Sequence, residues 1–130
     1  MIGLDTNVLV RYLTRDDEQQ WQQAVKLIEG DLCFITDVVL CELIWVLRGK
    51  PYQFGKDGIL KAVEAMLQST TFEFENRSAV YQALQRTRQG SGDFSDYLIG
   101  AIARQHDCLE TATFDRKLRG EKGFKFLSED

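Results

Sequence analysis

Acidic side chains occur at four separated points of this 130-residue sequence, at positions where they could bind metal. These residues are Asp5, Glu42, the pair Asp93 and Asp96, and Asp115. Hard carboxylate oxygens without nearby histidine or cysteine clusters favour Mg²⁺ or Mn²⁺ over Zn²⁺. The spacing therefore predicts a site for one or two divalent cations, provided that the fold brings the acids together.

Glu42 is the most unusual of these acids because its helical neighbours are apolar. The residues three and four positions away are Val38, Val39, Trp45 and Val46. A carboxylate buried without a partner either destabilises the fold or becomes neutral. We therefore expect Glu42 to be buried with a positive partner, which is either a metal ion or an arginine such as Arg11 or Arg48.

Each of the other acids also has an ordinary structural interpretation. Asp5 and Asp115 could be the N-caps of the helices that follow them. Asp93 and Asp96, spaced i,i+3 at a helix start, could complement the helix dipole. These structural interpretations are less convincing when the acids are considered together. Four separate elements each carry a carboxylate at a position where the carboxylates could meet.

Short apolar segments and amphipathic helices alternate along the chain and set the frame for these acids. The strands are predicted at Met1–Leu4, Leu32–Ile35, Thr71–Phe74, Leu109–Thr113 and Phe124–Leu127. The helices are predicted near Asp17–Glu29, Asp37–Leu47 with Asp37 as the cap, Gly58–Gln68, Ala79–Leu84 and Phe94–Gln105. This pattern predicts one α/β domain over residues 1–130, with a mostly parallel sheet of about five strands. Ligands are expected beyond the carboxyl ends of those strands.

Composition narrows the functional classes. The net charge of −4 is unusual for a simple nucleic-acid binder, so metal would have to carry any nucleic-acid chemistry. Four cations nevertheless lie within residues 116–122. Three cysteines without a CxxC pair are expected to be buried and reduced. The chain shows neither an apolar run long enough to span a membrane nor a signal peptide, so a cytoplasmic location is expected.

Four motifs in order resemble the acidic motifs of the PIN domain and, more narrowly, the VapC toxins of bacterial and archaeal toxin–antitoxin pairs. They are the opening MIGLDTNVLV, the isolated Glu42 in its apolar helix, the segment DFSDYLIGA from Asp93, and Thr113-Phe114-Asp115. The resemblance extends over essentially the whole chain. It implies a three-layer α/β/α sandwich.

By this resemblance, Asp5, Glu42, Asp96 and Asp115 are the catalytic and metal-binding acids. Asp93 is a fifth candidate ligand, and Asp96 is preferred as the third principal acid because it directly precedes the apolar stretch Tyr97-Leu98-Ile99-Gly100-Ala101. The polar residues expected to support the site are Thr6, Asn7 and Thr113. The basic residues that could guide RNA are Arg116, Lys117 and Arg119.

The resemblance implies a metal-dependent endoribonuclease, the toxin of a type II pair. One or two Mg²⁺ or Mn²⁺ ions would activate water for attack on the phosphodiester and neutralise the phosphate. The implied partners are an RNA substrate, a VapB-like antitoxin and a second copy of the chain in a homodimer.

Other interpretations remain open at this level. A housekeeping PIN nuclease that processes RNA would share these motifs, as would a largely non-catalytic protein that acts with a partner in a DNA-binding complex. A receiver domain would need a phosphorylatable Asp on the third strand and a lysine on the fifth, and Lys50 and Lys61 are badly placed for this. A haloacid-dehalogenase-type phosphatase would need an Asp where Asn7 stands.

Overall fold

The computed structural model describes residues 1–128, which form short strands and longer helices in alternation. The strands are β1 (Ile2–Gly3), β2 (Cys33–Ile35), β3 (Phe72–Phe74), β4 (Thr111–Thr113) and β5 (Phe124–Phe126). The helices are α1 (Thr6–Thr14), α2 (Glu18–Gly30), α3 (Asp37–Arg48), α4 (Lys56–Gln68), α5 (Arg77–Gln89) and α6 (Phe94–Gln105), with a 3-10 turn at Arg116–Leu118. None of these helices, within residues 1–128, is both long and apolar enough to cross a membrane.

Within residues 1–128, all hydrogen-bonded strand pairs are parallel. The strands β1, β2 and β3 form one sheet in that order, and β4 pairs with β5. The expected α/β class with a parallel sheet is therefore confirmed. The chain groups into two compact units, Met1–Arg77 and the part from Ser78 onward, while the assignment of residues 1–130 to a single domain stays a prediction.

In the first unit, short polar side chains cap the N-termini of α1, α2 and α3, and apolar side chains pack the helices together. Asp17 caps α2 by accepting from the backbone N–H of Gln20 at 3.0 Å. Helix α1 packs against α2 and α3. The largest side chains fully buried in this unit are aliphatic: Leu9, Ile28, Ile35, Leu40, Leu43, Ile44, Leu47 and Ile59. This core holds α1, which follows Asp5, and α3, which carries Glu42.

In the second unit, aromatic side chains are buried together with aliphatic ones. Phe94, Tyr97 and Phe124 are buried, and the Tyr97 and Phe124 rings meet edge to face with centroids 6.0 Å apart. Gly100 permits this approach, because a Cβ there would lie 2.8 Å from Cζ of Phe124. The close packing fixes α6, which carries Asp93 and Asp96 at its start, relative to β5.

Several local predictions are corrected. The cap of α3 is Thr36, whose hydroxyl accepts from the backbone N–H of Val39 at 3.1 Å; the N–H of Asp37 instead donates to Glu75. The strand predicted to begin at Leu109 begins at Thr111, and the Leu109 side chain is exposed. Cys33 is buried as expected, but Cys41 is half-buried and Cys108 is exposed.

Candidate active site

In the first unit, a threonine connects two of the predicted site acids. Asp5 lies between β1 and α1, and its Oδ1 accepts a hydrogen bond of 2.8 Å from the backbone N–H of Thr6. The hydroxyl of Thr6 donates to Oε1 of Glu42 on α3, also at 2.8 Å. Thr6 therefore positions Asp5 and Glu42, the first carboxylate pair, beside each other at the carboxyl end of β1.

The expected burial of Glu42 is wrong. Glu42 is exposed, and so are its apolar neighbours Val38 (70% exposed), Trp45 (59%) and Val46. Helix α3 is apolar on more than one face, and only the face carrying the core leucines is covered. Exposure removes the need for a buried counter-charge. Arg11, one proposed partner of Glu42, instead donates to Gln20 and Asp16.

Asp5 is the N-cap of α1, as its structural interpretation predicted. Only Oδ1 is used in the cap, through the Thr6 N–H. An ionised carboxylate offers about four acceptor positions on two oxygens, so capping and cation binding are compatible. Asn7, the next residue after Thr6, lines a cavity of about 360 Å³ between α1 and α2; its supporting role at the acids stays a prediction.

In the second unit, three carboxylates are positioned by local backbone bonds. Asp93 and Asp96 form a capping box at the start of α6, in which Oδ2 of Asp96 accepts from the Asp93 N–H at 3.0 Å. Asp115 begins the 3-10 turn after β4, and its Oδ1 accepts from the Lys117 N–H at 2.9 Å. The hydroxyl of Thr113 accepts from the Asp115 N–H at 3.0 Å, while the role of Thr113 in supporting a metal site stays a prediction.

Asp93, Asp96 and Asp115 are called the acid triad below. The ammonium group of Lys117 lies beside them. Nζ of Lys117 is 2.9 Å from Oδ2 of Asp93 and 4.0 Å from Oδ2 of Asp115. The bond to Asp93 is the largest cause of a raised Lys117 pKa, and the charges of Asp93, Asp115 and Asp96 raise it further. The triad thus stabilises a positive charge.

The half-buried carboxyl of Asp96 has a raised pKa. Desolvation raises the pKa of its half-buried carboxyl above the ordinary value, and the charges of Asp115 and Asp93 add to that rise. The bond from the Asp93 N–H and the charge of Lys117 lower it. Burial thus disfavours the ionised form of Asp96, and a cation placed beside it would favour that form.

Sequence comparison gives the identity of the fold. The family model described as the PIN domain matches residues 2–120. The chain belongs to the PIN-domain family. Comparison with curated proteins and with solved structures gave no match. PIN domains are generally nucleases, and those nucleases typically use divalent metals.

The donors of this PIN domain fit such a metal in chemistry, although their arrangement is not that of a bound site. Within residues 1–128, no group of three or more His, Cys, Asp or Glu side chains is arranged to hold a metal ion. The candidate donors are all carboxylate oxygens, which suit Mg²⁺ or Mn²⁺. In the acid triad, one oxygen of Asp93 is bonded to Lys117. Asp93 itself could bind metal through that oxygen only if the ammonium moved away from it.

Ser95 is a polar residue of the PIN domain that sequence reasoning missed. It lies between Asp93 and Asp96 in the chain and is only 5% exposed. Its hydroxyl has no hydrogen-bond partner among residues 1–128. Its type and position carry little signal for this, because a serine in a first helical turn usually bonds locally or faces water.

The predicted RNA-guiding residues of the PIN domain have different surroundings. Lys117 contacts the acid triad, and the guanidinium of Arg119 lies 5.6 Å from the centre of the Phe126 ring. Arg116 is the first residue of the 3-10 turn. Their contact with RNA stays a prediction.

Proposed function

We propose that this protein is a metal-dependent endoribonuclease, the toxin of a type II toxin–antitoxin pair, acting in the cytoplasm. Asp5, Glu42, Asp96 and Asp115 are the proposed metal-binding and catalytic acids. The main supporting observation is the acid triad, in which the Lys117 ammonium pairs with Asp93 and Asp115, and desolvation raises the pKa of the half-buried Asp96. Membership of a family of nucleases supplies the reaction class.

Hydrogen bonds from neighbouring residues orient the proposed metal-binding acids. Thr6 orients Glu42 through its hydroxyl, and Thr113 fixes the backbone at Asp115. Asp5 and Asp96 each commit one oxygen to a backbone N–H, which limits the rotation of their carboxylates. Bound Mg²⁺ or Mn²⁺ would supply water activation and neutralisation of phosphate charge, so the chain needs no nucleophilic side chain of its own.

We infer that Asp96, rather than Asp93, is the third principal ligand. Asp96 is half-buried in the triad and its capping bond uses only Oδ2. Asp93 already has the Lys117 ammonium on Oδ2. Asp93 is therefore assigned as the auxiliary acid that receives Lys117 while the other acids bind metal.

The surface around Glu42 supports control by a protein partner. Val38, Trp45 and Val46 expose apolar surface on the same stretch of α3. Exposed apolar patches of this kind are typically covered by another protein. A VapB-like antitoxin that packed on them would also cover Glu42, a proposed site acid, and so block the enzyme. A homodimer of the toxin is part of this proposal.

The direct test is cleavage of a panel of fluorescent RNAs by the purified protein, freed from any bound antitoxin. Reactions contain Mg²⁺, Mn²⁺ or a chelator, and use wild type, Asp5→Asn and the matched control Asp57→Asn, an exposed first-turn acid of α4. We expect metal-dependent cleavage by wild type and the control, and none by Asp5→Asn. Equal metal-dependent cleavage by Asp5→Asn would refute the site assignment.

Inducible expression tests the biological role. A toxin arrests growth in a manner that Asp5→Asn abolishes and that a co-expressed neighbouring antitoxin gene reverses. A housekeeping RNA-processing nuclease would leave growth unaffected and alter one processed RNA instead. A non-catalytic partner in a DNA-binding complex would lose no function when Asp5 is replaced.

A further inference from the structure

The second unit contains a cavity of about 260 Å³ that is separate from the acid triad. Its wall includes the C-terminal half of α6, the first residue of β4 and the first residue of β5. The acid triad lies at the other ends of these elements, since Asp93 and Asp96 begin α6 and Asp115 follows β4. Along α6, the rise over the eight steps from Asp96 to Arg104 is alone about 12 Å.

Three cations line this cavity and no acidic residue does, among the residues that the structure describes. They are Arg86 on α5, Arg104 on α6 and Lys122 before β5. Within residues 1–128, none of the three forms an ion pair with a carboxylate. In a protein of net charge −4, three clustered cations without acidic partners form a local site for an anion.

Aromatic rings hold Arg86 in place at this cavity. Its guanidinium lies 4.9 Å from the centre of the Tyr97 ring and 5.6 Å from that of Phe124. Both rings are buried, and Gly100 leaves the space that Phe124 fills. A guanidinium stacked on rings keeps its N–H edge available for two parallel hydrogen bonds to an oxyanion. Arg86 is therefore pre-organised, whereas Arg104 and Lys122 are exposed and can close on a ligand from solvent.

We propose that this cavity binds a phosphate group, carried either by the backbone of an RNA strand or by a free nucleotide. The planar donor edge of Arg86 matches a phosphate oxyanion, and two further cations match its charge better than they match a single carboxylate. The cavity is smaller than the roughly 300–1,000 Å³ that a whole drug-sized ligand occupies, which suits a phosphate with part of its sugar. The proposal does not depend on nuclease activity.

The test measures binding by the full chain in the presence of chelator, so that metal binding and cleavage play no part. The probes are a short fluorescent single-stranded RNA, followed by anisotropy, and adenosine 5′-monophosphate, followed by NMR. The pocket variant carries Arg104→Gln and Lys122→Gln. The control variant carries Lys26→Gln and Lys61→Gln, two exposed lysines of the first unit, and therefore loses the same charge.

The two sources of phosphate give different results. If the ligand is an RNA strand, the pocket variant binds RNA about fivefold more weakly for each lost contact at about 0.1 M salt, and the salt-dependence slope falls by about 1.4 relative to the control. If the ligand is a free nucleotide, the pocket variant loses adenosine monophosphate binding while its RNA binding equals that of the control. Equal binding of both probes by the two variants would overturn the proposal.

Arg86→Lys provides a second measurement that separates charge from geometry. Lysine keeps the positive charge but lacks the flat donor edge, so phosphate binding should weaken although the net charge is unchanged. A melting temperature equal to that of wild type would show that the fold is intact. Unchanged binding by folded Arg86→Lys would exclude the stacked guanidinium as the phosphate ligand.

Discussion

The first carboxylate pair and the acid triad contain the same kind of side chain but differ in their exposure to solvent and in their neighbouring charges. Asp5 and Glu42 are both exposed and are connected by the neutral Thr6 hydroxyl. The triad is partly buried. Desolvation and, to a smaller extent, the charges of Asp115 and Asp93 raise the pKa of Asp96, and the Lys117 ammonium is bonded to Asp93. Water screens the repulsion between the two carboxylates of the pair, whereas the Lys117 cation offsets part of the repulsion within the triad.

This difference indicates which acids should respond to metal in the folded protein. Exposed carboxylates repel each other weakly because solvent screens them. Partly buried carboxylates repel more strongly, and a divalent cation placed among them removes that repulsion. The triad is therefore the part of the proposed site where metal binding and folding stability should be coupled most strongly.

The largest expected effect comes from removing one charge from each group. Asp5→Asn and Asp96→Asn should each reduce metal-dependent RNA cleavage by at least about 10²-fold, as expected when electrostatic stabilisation of a transition state is lost. Their effects on folding should differ. Asp96→Asn keeps a capping oxygen but relieves repulsion, so the chelated protein should melt at a higher temperature, while Asp5→Asn should melt near wild type.

Cleavage assays and thermal melts in chelator check both parts of this prediction, with Asp57→Asn as the control. A lower melting temperature for chelated Asp96→Asn would show that the capping bond outweighs the repulsion. The contrast between pair and triad would then be wrong.

The two threonines give the next effect in size. Thr6→Val removes the bond to Glu42 but leaves the Asp5 cap, which uses the backbone N–H. Thr113→Val removes the acceptor for the Asp115 N–H. Loss of a group that orients a ligand typically costs 10–100-fold in metal affinity or activity, and we expect roughly that reduction in cleavage for each.

Metal titrations followed by cleavage rates measure this effect, and Thr70→Val, on the loop before β3, serves as the control. If Thr6→Val and the control cleave equally well, the orientation of Glu42 is unimportant, and the first carboxylate pair contributes only through Asp5.

The parts of the site that depend on neighbours in sequence could be predicted. Helix α6 begins and ends at the predicted residues, because its apolar spacing and the Asp93 cap are local signals. The positions of Asp5 and Asp115 after β1 and β4 were evident for the same reason. An acid that directly follows an apolar strand in the sequence can be recognised without knowledge of tertiary contacts.

The parts that depend on tertiary structure could not be predicted. Helix α3 is apolar on more than one face, so its pattern does not reveal which face the core covers, and the prediction that Glu42 is buried is wrong. The bond from Lys117 to Asp93 joins residues 24 positions apart. Likewise, Arg86 and Arg104 lie on different helices, and no spacing rule connects them to the same cavity.

Lys117 allows the role of the cation in the triad to be tested. Lys117→Gln removes the ammonium from Asp93 and Asp115, so the chelated protein should lose up to about 1 kcal/mol of unfolding free energy, the usual value for an exposed pair. The same change removes a competitor for the acids. Mg²⁺ or Mn²⁺ should therefore raise the melting temperature of Lys117→Gln at several-fold lower concentration than is needed for wild type.

Lys125→Gln, an exposed change on β5, is the matched control. Metal titrations of all three proteins by thermal melting give the comparison. A higher metal requirement in Lys117→Gln than in the control would mean that the lysine helps to hold the site together rather than occupying it.

The smallest expected effect concerns Ser95, the buried hydroxyl between Asp93 and Asp96. A buried polar group without a partner typically costs about 1–3 kcal/mol, so Ser95→Ala should leave the unfolding free energy unchanged or raise it by about 1 kcal/mol. Denaturant unfolding measures this, and cleavage separates two explanations. If the hydroxyl is only a packing defect, cleavage is unchanged. If it serves the acids when substrate is bound, Ser95→Ala gains stability and loses activity, which a purely structural serine would not do.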